Sequence, residues 1–275
     1  MRGKVYLVGA GPGDPELLTL KAFKLLKSAE VVLHDNLIGP EILAFIPSST
    51  PRHNVGKRCG RKSISQQEIN RLLVQKALLG LRVVRLKSGD PLIFGRAGEE
   101  IEALRKANIE FEIVPGITAA LGAAANAQIP LTHRQVASAI VLVTGHLAGS
   151  DQFADWPARI PTDATLVVYM PGYEYRNTAR QLQRAGLPGT TACAIISQAT
   201  SPEEQLHVTT VEDLDKSPRL PSPTLLVVGE VVRMAKPAAL YEQFAWKDLV
   251  SMWFPAQIEY ASTSSVLPAG QERGE

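Results

Sequence analysis

The chain has 275 residues, 45% of them hydrophobic and 20% charged, enough for one large or two modest domains with their own cores. A formal net charge of +2 is too small to argue for a nucleic-acid partner. No stretch reaches the roughly 18 to 20 apolar residues of a membrane span, and the run after Arg2 and Lys4 meets Gly9, Pro12 and Asp14 too early for a signal peptide.

Val5–Val8 reads as a strand that ends in Gly9-Ala10-Gly11-Pro12-Gly13-Asp14. Pro15 marks a helix start, with an apolar stripe through Leu17, Leu18, Leu20, Ala22, Phe23, Leu25 and Leu26. Val31–Leu33 is a second strand ending at His34-Asp35-Asn36, and a short helix follows Gly39-Pro40. Ser65, with Glu68 three residues on, is an N-cap signal for a helix through Ile69, Leu72, Leu73 and Leu78. Val83–Leu86 is a strand ending at Lys87-Ser88-Gly89-Asp90-Pro91. Ala97–Ala107 is a helix, Phe111–Val114 a strand, and Pro115-Gly116-Ile117-Thr118 opens an alanine-rich helix. Strands separated by helices of this length predict a mostly parallel sheet covered on both faces.

A boundary is expected near Pro130–Val136. Beyond it, Ala139–Thr144, Thr165–Met170, Ala192–Ile196, Leu206–Thr210 and Leu225–Val228 read as strands, with one helix at Tyr175–Ala185. Few helices intervene, so this second sheet is expected to be mixed. From about Ser251 the chain loses all period and reads as a tail that is partly disordered or docked through Trp246, Trp253 and Phe254. The expectation is an α/β fold of two α/β domains, residues 1–132 and 133–245, with a tail at 246–275.

The first turn resembles a dinucleotide fingerprint but fails its spacing. Asp14 stands where the third glycine belongs, and Pro12 removes an N–H from a turn that would donate to phosphate. Asp14 and Glu16 add negative charge there, which opposes a pyrophosphate. A ligand without phosphate, cationic or zwitterionic, suits this turn better. Four successive strand ends carry Gly, Pro, Asp or Thr, where open α/β sheets bind ligands. Small residues there let a ligand lie on bare backbone, and Asp90 and Thr118 offer polar contacts. Arg52–Lys62 is basic and contains no acid. It is either a solvated loop or a binder of a polyanion. Arg85, Lys87, Arg96, His133 and Arg134 stand beside the other turns, so positive charge is expected to collect around the crevice. Nucleic acid is one polyanion that would fit, but no aromatic stacking platform or reader motif accompanies the patch, and a small polycarboxylate fits at least as well. Asp35 is the only acid between His34 and Ile38, with helix capping or a nearby base as its ordinary role. His34, His133 and His146 lack metal spacing, and Ser88, Ser138 and Ser197 lack a nucleophile elbow. Cys59 and Cys193 read as structural thiols of a reducing compartment. No metal is expected, and the location is expected to be cytoplasmic.

Together these turns resemble the tetrapyrrole methylase family. The similar stretches are V-G-A-G-P-G-D-P-E-L-L-T-L-K-A from Val8, V-G-K-R from Val55, V-V-R-L-K-S-G-D-P-L-I-F-G-R from Val83, V-P-G-I-T-A-A from Val114, I-P-L-T-H-R from Ile129, T-G-H from Thr144, V-Y-M from Val168 and V-V-G-E-V-V from Val227. The resemblance implies two α/β domains with S-adenosyl-L-methionine in the cleft between them, a tetrapyrrole substrate and a homodimer. Its nearest branch implies transfer of two methyl groups to ring carbons 2 and 7 of uroporphyrinogen III, giving precorrin-2 for sirohaem and cobalamin synthesis. By motif, it places Pro12, Ser88, Gly89, Asp90, Ile93, Thr118, Ala119, Met170, Ala199 and Thr224 at the donor. It makes Asp35 a proton acceptor and Lys57 a proton donor or substrate anchor, with Arg58, Arg61, His133 and Arg134 on the acceptor side. The chain departs from the family's pattern at Ser88, where glycine is usual, at Asn36, where arginine is usual, and at Pro171, where glycine is usual. The alternatives are a methylase of the same fold acting on a later corrin intermediate, a nicotinamide-dependent oxidoreductase, and a non-catalytic polyanion-binding module.

Overall fold

The computed structural model describes residues 2–56, 64–145 and 156–236. In the first half, strands β1 (Lys4–Gly9), β2 (Val31–His34), β3 (Arg52–Asn54), β4 (Val83–Lys87) and β5 (Glu110–Val114) form one sheet in the order β3-β2-β4-β1-β5. Every pair is parallel, so the sheet is wholly rather than mostly parallel. Helices α1 (Leu20–Ser28) and α2 (Pro40–Leu43) cover one face, where Ala22, Leu26 and Ile42 meet Val8, Val32, Val84 and Leu86. Helices α3 (Gln66–Leu78) and α4 (Ala97–Lys106) cover the other, where Ile69, Leu73 and Leu104 meet Val5, Leu7, Leu33 and Val83. Alternation along β4 therefore points Val83, Arg85 and Lys87 toward α3 and α4, and Val84 and Leu86 toward α1 and α2.

Local signals explain most element starts. Ser65 accepts the Glu68 N–H at 3.2 Å, and the Glu68 carboxylate accepts the Ser65 N–H at 2.7 Å, a complete capping box for α3. The first helix differs from expectation. Pro15 opens only a 3-10 turn, Pro15–Leu17, capped by Asp14. Thr19 then caps α1 by accepting the Ala22 N–H at 3.2 Å. Two caps in succession divide what reads as one apolar stripe. The start of the basic stretch, expected as loop, forms β3 at the sheet edge.

In the second half, β6 (Ala139–Thr144), β7 (Ala164–Tyr169), β8 (Ala192–Ser197), β9 (Gln205–Thr210) and β10 (Thr224–Val228) form a mixed sheet in the order β6-β7-β10-β8-β9. Only β6 and β7 pair in parallel. Helix α6 (Tyr175–Arg184) packs Tyr175, Ala179 and Leu182 on one face. The other face takes α5 (Ala119–Ala127), whose Ala120, Ala123, Ala124 and Ala127 lie against Val167, Ala194, Ile196, Leu225 and Val227. The alanine-rich helix thus follows the first sheet in sequence but packs on the second, and its small side chains allow the close approach. Met170, expected inside a strand, leaves β7 with φ of +51°. Residues 246–275, with Trp246, Trp253 and Phe254, lie outside the described residues.

Candidate functional site

β1 and β4 are neighbours, yet α1 leaves β1 toward one face and α4 leaves β4 toward the other. Such a reversal opens a crevice at the carboxyl ends of the two strands. There the two following turns cross: the Gly11 N–H donates to Gly89 O at 3.2 Å, and the Gly89 N–H donates to Gly11 O at 2.7 Å. The end of β5 closes on the same point. A Cβ added at Gly116 would lie 2.3 Å from Gly89 O, and one at Gly9 would lie 2.5 Å from Gly116 N. Three strand ends therefore meet backbone to backbone, which only glycine permits. Gly89 takes the left-handed conformation at φ +66°, whereas Ser88 does not, so serine where the family has glycine carries no backbone strain. Asp90 braces this junction: Oδ1 accepts the Leu92 N–H at 2.8 Å and Oδ2 accepts the Gly116 N–H at 3.0 Å.

The first turn has few amides left for a phosphate. The Ala10 N–H is bonded to Lys87 O at 2.8 Å, Gly11 to Gly89 O, and Asp14 to the Thr200 hydroxyl at 3.1 Å. Pro12 has no N–H. The Asp14 carboxylate, raised above its ordinary pKa mainly by burial, caps the next turn through Glu16 N at 2.7 Å.

The second half supplies the opposite wall. Pro12 rests on α5 at Gly122, where a Cβ would come within 2.6 Å of the ring. Gly13 faces Ala199 O and Thr200. Thr118, at the N-cap of α5, shares a 2.5 Å hydrogen bond with the Tyr169 hydroxyl, which also accepts the Ala120 N–H at 3.1 Å. The Tyr169 ring lies 4.9 Å from Phe94, and burial pushes its phenol pKa up. Met170 follows, about half exposed. Phe94, Arg96, Met170, Gln198 and Thr200 all have φ between +48° and +65°, and these strained residues lie in the turns around the crevice.

Of the residues expected at the donor, Gly89 lies against Thr118 and Ala119, Asp90 braces Gly116, Pro12 rests on Gly122 beside Thr200, Ala199 faces Gly13, and Ile93 packs against the second sheet's core; Ser88 precedes Gly89 in the crossed turn and Met170 follows Tyr169. Thr224 is placed differently: Leu225 and Val227 face α5, so Thr224 shares the opposite, α6 face with Leu226 and Val228, beside Tyr175. Tyr169 was missed by sequence reasoning. Its one available signal was its place just before Met170.

Asp35 sits at the end of β2, its N–H bonded to Leu86 O at 3.1 Å. Its Oδ1 lies 2.5 Å from Arg85 Nη2. Arg85 Nε donates to Glu100 Oε1 at 3.0 Å, and Lys87 Nζ donates to both Glu100 oxygens at 3.1 and 3.2 Å. The exposures are 3% for Arg85, 2% for Lys87 and 0% for Glu100, against 27% for the Asp35 side chain. This corrects one expectation. Arg85 and Lys87 do not line the crevice for a polyacid; they are buried and already neutralised by Glu100 and Asp35. Burial, reinforced by the Arg85 charge, lowers the Lys87 pKa. Burial also opposes the Arg85 charge, but Asp35 and Glu100 outweigh it and raise that pKa. The sequence missed Glu100 because its partners lie on another element.

Arg96 forms a fork with Glu99 at 2.7 and 2.8 Å. His133 pairs through its backbone with Ala137, and its Nδ1 accepts the Gln135 N–H at 3.3 Å. Arg134 is exposed. Asn36, where arginine is usual, accepts from Asn54 Nδ2 at 3.2 Å. Lys57, Arg58, Arg61, Cys59 and His146 lie outside the described residues. Cys193 is buried, which pushes its thiol up to about 12 and makes it inert at neutral pH. Among the described residues, no cluster of His, Cys, Asp or Glu is placed to hold a metal ion, and no helix is long and apolar enough to cross a membrane.

The chain resembles known proteins over this whole region. Residues 4–215 match the family model of the Tetrapyrrole (Corrin/Porphyrin) Methylases. A uroporphyrinogen-III C-methyltransferase of Paracoccus denitrificans is 47% identical over 246 residues, covering 88% of this chain and 85% of that protein. A siroheme synthase of Nitrosospira multiformis is 47% identical over 88% of this chain, which spans only 52% of that longer protein. The crystal structure of a Thermus thermophilus uroporphyrin-III C-methyl transferase, complexed with S-adenosylhomocysteine, superposes with a TM-score of 0.74 at 41% identity, covering 84% of this chain and 99% of that one. With its glycine slot, its two sheets and a family match across most of its length, the chain belongs to the tetrapyrrole methylases.

Proposed function

We propose that the chain is an S-adenosyl-L-methionine-dependent C-methyltransferase. It methylates uroporphyrinogen III at ring carbons 2 and 7, giving precorrin-2 for sirohaem and cobalamin synthesis and releasing S-adenosyl-L-homocysteine. The observation that carries this reading is the junction of Gly9, Gly89 and Gly116 at the strand ends, where a Cβ on Gly9 or Gly116 would collide with backbone and Gly89 takes a left-handed φ of +66° with only ordinary contacts from Thr118 and Ala119 around it. Such a cradle suits a ligand lying flat on main chain, and the spent amides of the first turn suit one without phosphate there. Support also comes from the Paracoccus relative, whose length this chain covers to 85%, and from the Thermus structure crystallised with the donor's demethylated product.

In this reading Pro12, Ser88, Gly89, Asp90, Ile93, Thr118, Ala119, Met170 and Ala199 hold the donor. When bound, the donor supplies a methyl group on a sulfonium, an excellent leaving group for attack by an electron-rich ring carbon. The protein's main task is then orientation, which can contribute on the order of 7 to 11 kcal/mol. Charge is lost from sulfur in that step, so a bare carboxylate beside it would be unhelpful. Asp90 meets that need, since both its oxygens are engaged by backbone N–H groups. Asp35 takes the proton released from the methylated ring. Lys57, Arg58, Arg61, His133 and Arg134 hold the acceptor's carboxylates. The reading extends to a homodimer acting in the cytoplasm, checked by light scattering of the purified chain and by cell fractionation.

The test is incubation of the full chain with methyl-labelled donor and uroporphyrinogen III under reducing conditions. A product carrying two labelled methyl groups on ring carbons is expected. A porphyrinogen recovered unlabelled contradicts the reading.

A further inference from the structure

We propose that Glu100 is a positioning residue for the methyl transfer: from α4 it holds Arg85, and through Arg85 it fixes the carboxylate of Asp35. The inference rests on the role given to Asp35 above and adds a residue remote from the substrate.

The geometry points one way. Arg85 is too deeply buried to meet a substrate, and each of its three nitrogens is engaged. Nε goes to Glu100 at 3.0 Å, Nη2 to Asp35 at 2.5 Å, and Nη1 to the carbonyls of Leu86 at 3.1 Å and Leu33 at 3.5 Å. A planar fork held at that many points has one orientation. Lys87 occupies both Glu100 oxygens from the other side, so Glu100 cannot swing away from Arg85 without leaving a buried ammonium. The stem of Lys87 in turn lies under the turn before α4, where a Cβ on Gly95 would come within 3.2 Å of Lys87 Cε. Of the four charged groups, only Asp35 reaches solvent. Its Oδ2 makes no hydrogen bond among the described residues, which leaves that oxygen to accept a proton. A buried ionic cluster is a weak source of stability compared with apolar packing of the same volume. Its one exposed member stands at the carboxyl end of the sheet, where ligands of this fold class bind.

The test is steady-state kinetics on the full chain with S-adenosyl-L-methionine and uroporphyrinogen III, comparing wild type, Asp35→Asn, Glu100→Gln and the double variant. Misplacing a reacting group by about 1 Å can cost about 100-fold. Glu100→Gln is therefore expected to lower kcat by about 10- to 100-fold, with the donor KM and the calorimetric donor affinity unchanged. The double variant is expected to be no slower than Asp35→Asn alone, because Glu100 acts only through Asp35. Should Glu100→Gln fail to fold, Arg85→Lys carries the same comparison, since it keeps the charge and loses the fork. Multiplying losses in the double variant, or a lower melting temperature with full kcat per folded molecule, overturn the proposal. Full activity in Asp35→Asn removes the role of Asp35 and this inference with it. A wild type that transfers no methyl removes the function itself.

Discussion

β4 serves two regions built on opposite principles. Beyond its end, at Ser88-Gly89, the slot proposed for the donor is made by leaving side chains out, so that three strand ends touch through backbone. Just before its end, at Arg85 and Lys87, the strand carries long charged side chains that are buried and matched to Glu100 and Asp35. The slot should be intolerant of added atoms and indifferent to charge. The charged cluster should be intolerant of lost charge and insensitive to small changes of volume. In the proposed function, one end of β4 would shape the ligand's bed while its buried Arg85 would fix the acceptor Asp35 on the neighbouring β2.

Removing Glu100 should show the largest effect. Glu100→Ala leaves Arg85 and Lys87 buried with only Asp35 for both, and should cost about 3 to 5 kcal/mol of stability, read as a fall in the urea midpoint. Gly116→Ala is the matching change in the slot. Its Cβ would meet Gly89 O at 2.3 Å, so a loss of about 3 kcal/mol is expected, together with weaker donor binding by calorimetry. If Gly116→Ala binds the donor as wild type does, the slot is not built as described. Tyr169→Phe tests the join between the two halves. It strips the hydroxyl that accepts the Ala120 N–H and bonds Thr118, and should cost about 1 to 2 kcal/mol and weaken donor binding about tenfold.

The smallest effect is one of pH. Lys87 has a folded pKa below its ordinary 10.5, so in the window between the two values the unfolded chain binds more protons. Its contribution to stability therefore rises with pH across that window, by at most about 1.4 kcal/mol per pH unit, and is complete above 10.5. Wild type should gain on Lys87→Met as pH approaches that value in denaturant titrations. A gap that stays constant would mean that burial does not strain the ammonium.

Most of the fold was legible because its determinants are local. The apolar runs of β1, β4 and β10, the capping box at Ser65 and Glu68, and the glycines at successive strand ends each announce themselves within a few residues. Three features were not. β3 reads Arg-His-Asn and is exposed throughout, so nothing in its pattern marks it as a strand; its pairing to β2 supplies the order. α5 is alanine on nearly every side, and no stripe shows that it docks on the second sheet. Arg85 and Lys87 were visible as charges in an apolar strand, but the acid that neutralises them lies on α4 and is found only by folding. The glycine turns at the strand ends were therefore largely readable from the sequence. The ion-pair cluster behind Asp35 was not, since it depends on which faces of β4 and α4 meet.

The most direct measurement is a crystal structure of the chain grown with S-adenosylhomocysteine. The account predicts one molecule against Gly89 and Asp90, enclosed by Thr118, Ala119, Met170 and Ala199, with the Asp35 carboxylate still held by Arg85. Density for the molecule away from the crossed turns of β1 and β4, or a slot that stays empty at saturating concentration, would contradict it.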